Sequence, residues 1–197
     1  TFDPATDHVL VLGRSGLTAV LDQGLLTVTW NGASGTELRA RYGLNQSQPV
    51  VRELAVRKSG GAWGVLGRDL VPEFTVQTGR RRAAFSQLPS LSALGVDVTS
   101  KEVLDREAWF AFWDAPFVVP GVREGDKPMN PDLPRRPEEI RRATATFTSP
   151  ACDAKADGAR IEVNFTGLSM GIFSGSARFT HYRGTNLLRV EAIAKTD

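Results

Sequence analysis

Short runs in which large apolar and polar side chains alternate, broken at intervals by glycine, point this chain toward antiparallel sheet, because successive residues of a strand face opposite sides. Leu17 to Leu21 and Leu25 to Trp30 flank Asp22-Gln23-Gly24 and read as a hairpin. Gly24 supplies the positive φ that so short a loop needs. Asn31-Gly32 marks another turn, and Glu37 to Tyr42 alternates between apolar and charged faces. Val50 to Arg57 and Ala62 to Leu66 flank Lys58-Ser59-Gly60-Gly61 as a further hairpin, and Glu73 to Thr78 adds a strand.

The pattern breaks between Gly79 and Pro137. Thr99 with Glu102 three residues on is a capping-box arrangement, which predicts a short helix through Val103 and Leu104 extending toward Phe112. Residues 119–137, VPGVREGDKPMNPDLPRRP, are too rich in Pro, Gly and charge for a sheet and read as a long surface loop. Alternation then returns in Ile140 to Thr148, Ala159 to Thr166, Leu168 to Phe173, Ser176 to Tyr182 and Asn186 to Lys195, with turns expected at Asp157-Gly158, Gly167, Gly175 and Arg183-Gly184-Thr185. The expected fold is mostly β: one antiparallel β-sandwich domain over residues 1–197, with one short helix and the Pro-rich loop.

Composition narrows the partners. Hydrophobic residues at 41% and charged residues at 23% are those of a globular chain. The formal net charge of +2, from 24 basic and 22 acidic side chains, is far from the excess that marks a nucleic-acid binder. Arg80-Arg81-Arg82 and Arg135-Arg136 with Arg141-Arg142 match no nucleic-acid motif and read as surface charge, with anionic polysaccharide as the functional alternative. No apolar run is long enough to span a bilayer, so no membrane partner is expected. Cys152 is the only cysteine, which excludes an intrachain disulfide and a cysteine-built zinc site. Asp153 to Asn164 fails the calcium-loop spacing, with Lys155 at the third position, and Gly13-Arg14-Ser15-Gly16 lacks the lysine of a phosphate loop. No metal or cofactor is therefore expected. The absence of an initiating Met and the stop soon after the strand-like run ending at Ala194 lead us to expect a domain of a longer chain.

No catalytic set can be assigned. His8 and His181 are the only histidines, and neither sits in a nucleophile motif. Paired carboxylates for glycoside hydrolysis are a spatial relation, and no acidic residue stands apart. The candidate ligand-binding residues are polar and aromatic. In Arg178 to Arg183, alternation puts Arg178, Thr180 and Tyr182 on one face and Phe179, His181 and Arg183 on the other. Arginine offers a planar donor fork and tyrosine an aromatic face with a polar tip, both suited to sugar hydroxyls or carboxylates. Arg189 and Glu191 share a strand face as a second polar pair, for which a cross-strand ion pair with Arg178 or Arg183 is the plain alternative. Trp109 and Trp113 with Asp114 lie in the densest aromatic segment, where tryptophans can stack on sugar rings or bury as core. Trp63, in a glycine-rich turn, carries the same two readings. Asn45-Gln46-Ser47 and Asn164-Phe165-Thr166 match the N-glycosylation sequon.

Gly171 to Ala192, with the turn Tyr182-Arg183-Gly184-Thr185-Asn186-Leu187, resembles strands of galactose-mutarotase-like supersandwich domains. Such domains accompany, or form part of, many glycoside hydrolases and polysaccharide lyases. The resemblance implies a supersandwich-like fold and a carbohydrate-binding or ancillary role in a larger polysaccharide-degrading protein, in the periplasm or outside the cell. Its partners would be carbohydrate, acidic polysaccharide included, and the remaining domains of the parent chain. Mutarotases use histidine and glutamate for acid–base work at C1 of a sugar; His181 and Glu191 are the residues to compare, and no family catalytic motif carries over. Two alternatives stand beside this role. One is a lyase with Tyr182 or His181 as base and an arginine on the uronate carboxylate; the other is a non-catalytic interdomain module that buries the Trp109-to-Phe117 segment.

Overall fold

In the computed structural model, which describes residues 10–80, 92–95, 97, 109–111 and 140–196, the alternating runs become antiparallel strands in three sheets. β1 (Leu10–Arg14), β2 (Leu17–Asp22), β3 (Leu25–Asn31), β4 (Thr36–Asn45), β5 (Gln48–Lys58) and β6 (Gly64–Leu70) follow one another as a six-stranded meander. β7 (Thr75–Arg80), β8 (Trp109–Ala111) and β9 (Ile140–Thr144) make a three-stranded sheet ordered β8-β7-β9. β10 (Thr146–Phe147), β11 (Cys152–Ala156), β12 (Arg160–Met170), β13 (Phe173–Tyr182) and β14 (Leu188–Thr196) make a five-stranded sheet ordered β10-β12-β13-β14, with β11 also paired to β12.

The chain forms two compact units. One is Thr1–Phe74 with Ala145–Asp197, which holds the six- and five-stranded sheets; the other is Thr75–Thr144, which holds the three-stranded sheet. Ala145 N donates to Phe74 O at 2.8 Å, so the first unit closes its own backbone where the second is inserted.

The β2–β3 hairpin forms as its alternation predicts, with Gln23 at φ 47° and Gly24 at φ 74°. Two successive positive φ angles give a loop the twist that strands require. Its register sets the core in rows. Leu17, Trp30 and Leu38 stand opposite one another across β2, β3 and β4, as do Ala19, Val28 and Ala40, and then Leu21, Leu26 and Tyr42; all nine are buried. In the five-stranded sheet Ile161 faces His181, Val163 faces Phe179 and Phe165 faces Ala177, also buried. These two buried faces meet through rings: Trp30 lies 4.8 Å from His181, and Tyr42 lies 5.0 Å from Phe179 and 6.2 Å from Phe165. Aromatic burial and ring contacts of this kind contribute the largest share per residue to such a core.

Several boundaries differ from the sequence reading. Gly167 is not a turn. β12 passes through it with a bulge between Thr166 and Leu168, at φ 78°, and a Cβ there would sit 2.7 Å from Thr148 O. A glycine in a strand serves a bulge or a close backbone approach as readily as a turn, and here it serves both. Gly175 likewise lies inside β13; the chain reverses at Gly171-Ile172 instead. Asp157-Gly158 does turn the chain, but the strand before it, β11, carried no clear alternation in sequence. The expected helix lies outside the described residues except at its far end, and there Trp109–Ala111 is strand β8, paired to β7. Aromatic residues fit a pleated surface, and pairing overrides a local helix preference. The 119–137 loop lies outside the described residues.

Candidate functional site

Registers across β11 to β14 gather polar side chains into rows on the face of the five-stranded sheet opposite the core. Asp153, Asn164, Arg178 and Glu191 stand side by side in one row, and Lys155, Glu162, Thr180 and Arg189 in the next. Arg160 and Tyr182 extend the set. In-register neighbours on adjacent strands lie within side-chain reach of one another. Arg178 Nη1 lies 3.7 Å from Glu162 Oε2, Arg160 Nε 3.2 Å from Glu162 Oε1, and Arg189 Nη2 2.5 Å from Glu191 Oε1. Hydrogen bonding to Tyr182 first, and then the Glu191 carboxylate, hold the Arg189 guanidinium above its ordinary range.

One acceptor and one donor in this face are left over. Among the described residues, Asn164 Oδ1 and Arg178 Nε are the buried side-chain atoms without a hydrogen-bond partner, and the two residues are direct cross-strand neighbours. Buried polar atoms are ordinarily satisfied, so this adjacent pair has most to gain from a hydrogen-bonding partner, which reaches it only when the side chains covering it shift. A hydroxyl, which both donates and accepts, complements such a pair.

Of the sequence candidates, the structure brings Arg178, Tyr182, Arg189 and Glu191 together on this face. Arg183 is exposed in the turn that follows β13. His181 is on the opposite side, fully buried, with Nε2 2.7 Å from the Tyr42 hydroxyl and Nδ1 3.2 Å from Ile161 O. A carbonyl only accepts, so Nδ1 carries the proton and Nε2 accepts from tyrosine. Burial pushes the imidazole down to about 4, against the partly offsetting bond to Ile161, and pushes the Tyr42 hydroxyl up. His181 is thus a neutral core group, closed off from a ligand on the outer face. Trp109 belongs to β8 in the second unit, and Trp113 and Asp114 lie outside the described residues.

Trp63 is not an open platform. The guanidinium carbons of Arg39 and Arg57 lie 4.3 and 4.4 Å from its ring centroid, and each arginine is held by a carboxylate: Arg39 by Glu53 at 2.6 Å and Arg57 by Glu37 at 2.6 Å. Cation–π contact of this kind takes up part of the ring surface that a sugar would need.

The turn from Tyr182 to Leu187 ties one sheet to the other. Gly184 N donates to Asn31 O at 2.7 Å, Trp30 Nε1 donates to Thr185 O at 3.0 Å, and Asn186 Oδ1 accepts from Ala33 N at 2.8 Å and Thr36 Oγ1 at 2.7 Å. Asn186→Ala is expected to lower unfolding stability by about 1 kcal/mol, modest because water can replace exposed hydrogen bonds. Urea unfolding of parent and variant checks this; an unchanged midpoint would show that the turn is not a tie.

Sequence reasoning passed over Glu162 as a site residue and took Asn164 only as part of a sequon and as the unmatched end of a calcium loop. Alternation puts both on one face of β12, but their neighbours on β13 follow from the register alone. It also passed over a cavity of about 200 Å³ in the first unit, lined by Leu21, Tyr42, Leu44, Ala151, Cys152 and Phe165 among others. Burial, with the Asp153 charge adding to it, pushes the Cys152 thiol up to about 11, so at neutral pH it is a thiol and a poor nucleophile. No protein-family model matches the chain, and comparisons with curated proteins and with solved structures find no match.

Proposed function

We propose that this protein is a carbohydrate-binding, ancillary β domain of a larger polysaccharide-degrading protein, and that the outer face of β11 to β14 is where it holds the sugar. The observation that carries the reading is the unsatisfied Asn164 Oδ1 beside the unsatisfied Arg178 Nε. Around them Glu162, Tyr182, Arg189 and Glu191 supply further donors and acceptors at strand spacing, about 4.8 Å, a distance that suits the hydroxyls of a sugar ring. The ring contacts between the two sheets of the first unit favour a face-to-face sandwich of the galactose-mutarotase-like kind. Acidic polysaccharide is within the ligand class, through Arg178 and Arg189.

The test is binding of neutral and acidic oligosaccharides by titration calorimetry, following an immobilised glycan panel. The parent should bind a subset, and Asn164→Ala and Arg178→Ala should each weaken that binding by about tenfold to a hundredfold while circular dichroism stays native. A folded parent that binds no glycan sinks the reading. A non-catalytic interaction module is the second reading, favoured by the exposed apolar side chains Leu187, Val190 and Ile193 on and beside β14.

A further inference from the structure

An edge strand offers a row of unpaired backbone groups, and proteins that must stay apart guard their edges with bulges, glycines, inward charge or short length. The first unit has several edges, and most of them are guarded. β1 is short and carries Gly13 at φ 103°. β6 meets β5 through a register shift, holds Gly64 and Gly67, and has Asp69 at φ 48°. β10 and β11 share the far edge of the five-stranded sheet and are short. β14 differs. It pairs with β13 without a register shift from Leu188 to Thr196, contains neither glycine nor proline, and no described strand lies on its other side. Val190 is 44% exposed and Ile193 39% exposed along it.

The geometry points to β14 as the docking edge for a second copy of this chain, through antiparallel β14–β14 pairing about a two-fold axis at Ile193. Charge chooses the partner and the register. A two-fold axis perpendicular to the sheet sets residues of the same face opposite one another. Centred on Glu191, it opposes Glu191 to itself; centred on Ala192, it opposes Arg189 to Lys195; both are repulsive. Centred on Val190, it pairs only Leu188 to Ala192 of β14 and leaves Lys195 without a partner. Centred on Ile193, it opposes Glu191 to Lys195 on each side of the axis, brings Ile193 against its own copy, and sets Val190 opposite Thr196 and Ala192 opposite Ala194. The pairing then runs from Val190 to Thr196, removes the exposed Ile193 from water and joins two five-stranded sheets into one. Lys195, exposed and without an ion pair among the described residues, gains its partner there.

Sedimentation equilibrium of the whole chain at concentrations up to about 100 µM tests this, since a small interface of this kind binds in the micromolar range. The expected result is a reversible dimer that Lys195→Glu weakens by about tenfold or more, because two attractive pairs become repulsive. The double variant Glu191→Lys with Lys195→Glu should recover part of the lost affinity, in part only because it also sets a lysine beside Arg178 and Arg189 within each chain, and a misfolded single variant could not explain any recovery. A chain that stays monomeric throughout, a dimer indifferent to Lys195→Glu, or a double variant that fails to recover would each overturn the proposal.

Discussion

Trp30→Ala is expected to lower the unfolding free energy by about 3–5 kcal/mol, the range of large aromatic truncations in a packed core. Trp30 is 1% exposed and sits in the row Leu17, Trp30, Leu38, with its ring against His181 of the other sheet and its indole N–H on Thr185 O. Truncation leaves a cavity at the joint of two sheets and strands the Thr185 carbonyl at once. Since a domain is stable by only about 5–15 kcal/mol, such a loss would leave much of the variant unfolded at modest urea concentrations. Urea unfolding followed by far-ultraviolet circular dichroism measures it. Trp30→Phe, which retains most of the apolar volume, should cost clearly less. A loss under about 1 kcal/mol for Trp30→Ala would mean that the sheets are not joined there.

Acid should weaken the fold in a window set by His181. Its imidazole takes a proton near 6.5 in the unfolded chain but only near 4 in the folded protein. Between those values the unfolded state binds a proton that the native state refuses, so stability is fully present above about pH 6.5 and falls as the pH drops toward about 4. The width of the window corresponds to about 3 kcal/mol. The physical cause is the closed site: a charged imidazole would face the Trp30 and Tyr42 rings without water, and its Nε2, once protonated, could no longer accept from the Tyr42 hydroxyl. His181→Gln keeps hydrogen-bonding capacity without titrating in this range. Urea unfolding at pH 7 and pH 4.5 should show a markedly smaller pH effect in the variant than in the parent. Equal pH effects in the two proteins would remove His181 as the cause.

Strand identity over much of the first unit was legible in the sequence, since alternation of side chains is a local property and so is the turn chemistry of Gln23-Gly24 and Asp157-Gly158. Those signals placed β2, β3, β4 and β5 and the turn into β12 within a few residues. The face alternation of β13 was legible too, and it correctly separated Arg178, Thr180 and Tyr182 from Phe179 and His181. Which of the two faces joins the apolar core was not, because that depends on what packs against the sheet. Only the tertiary structure decided that the His181 face is core, that Trp63 lies against two arginines, and that strands run through Gly167 and Gly175, where turns were expected. The same holds for β8 and for its pairing with β7, which joins residues far apart in the chain, whereas β7 itself was legible in Glu73 to Thr78. The polar rows from Asp153 to Glu191 depend on registers fixed jointly by several strands, and no single stretch of sequence encodes them. A residue's own chemistry and its near neighbours are written along the chain, whereas its solvent exposure and its cross-strand partners arise only when distant segments meet.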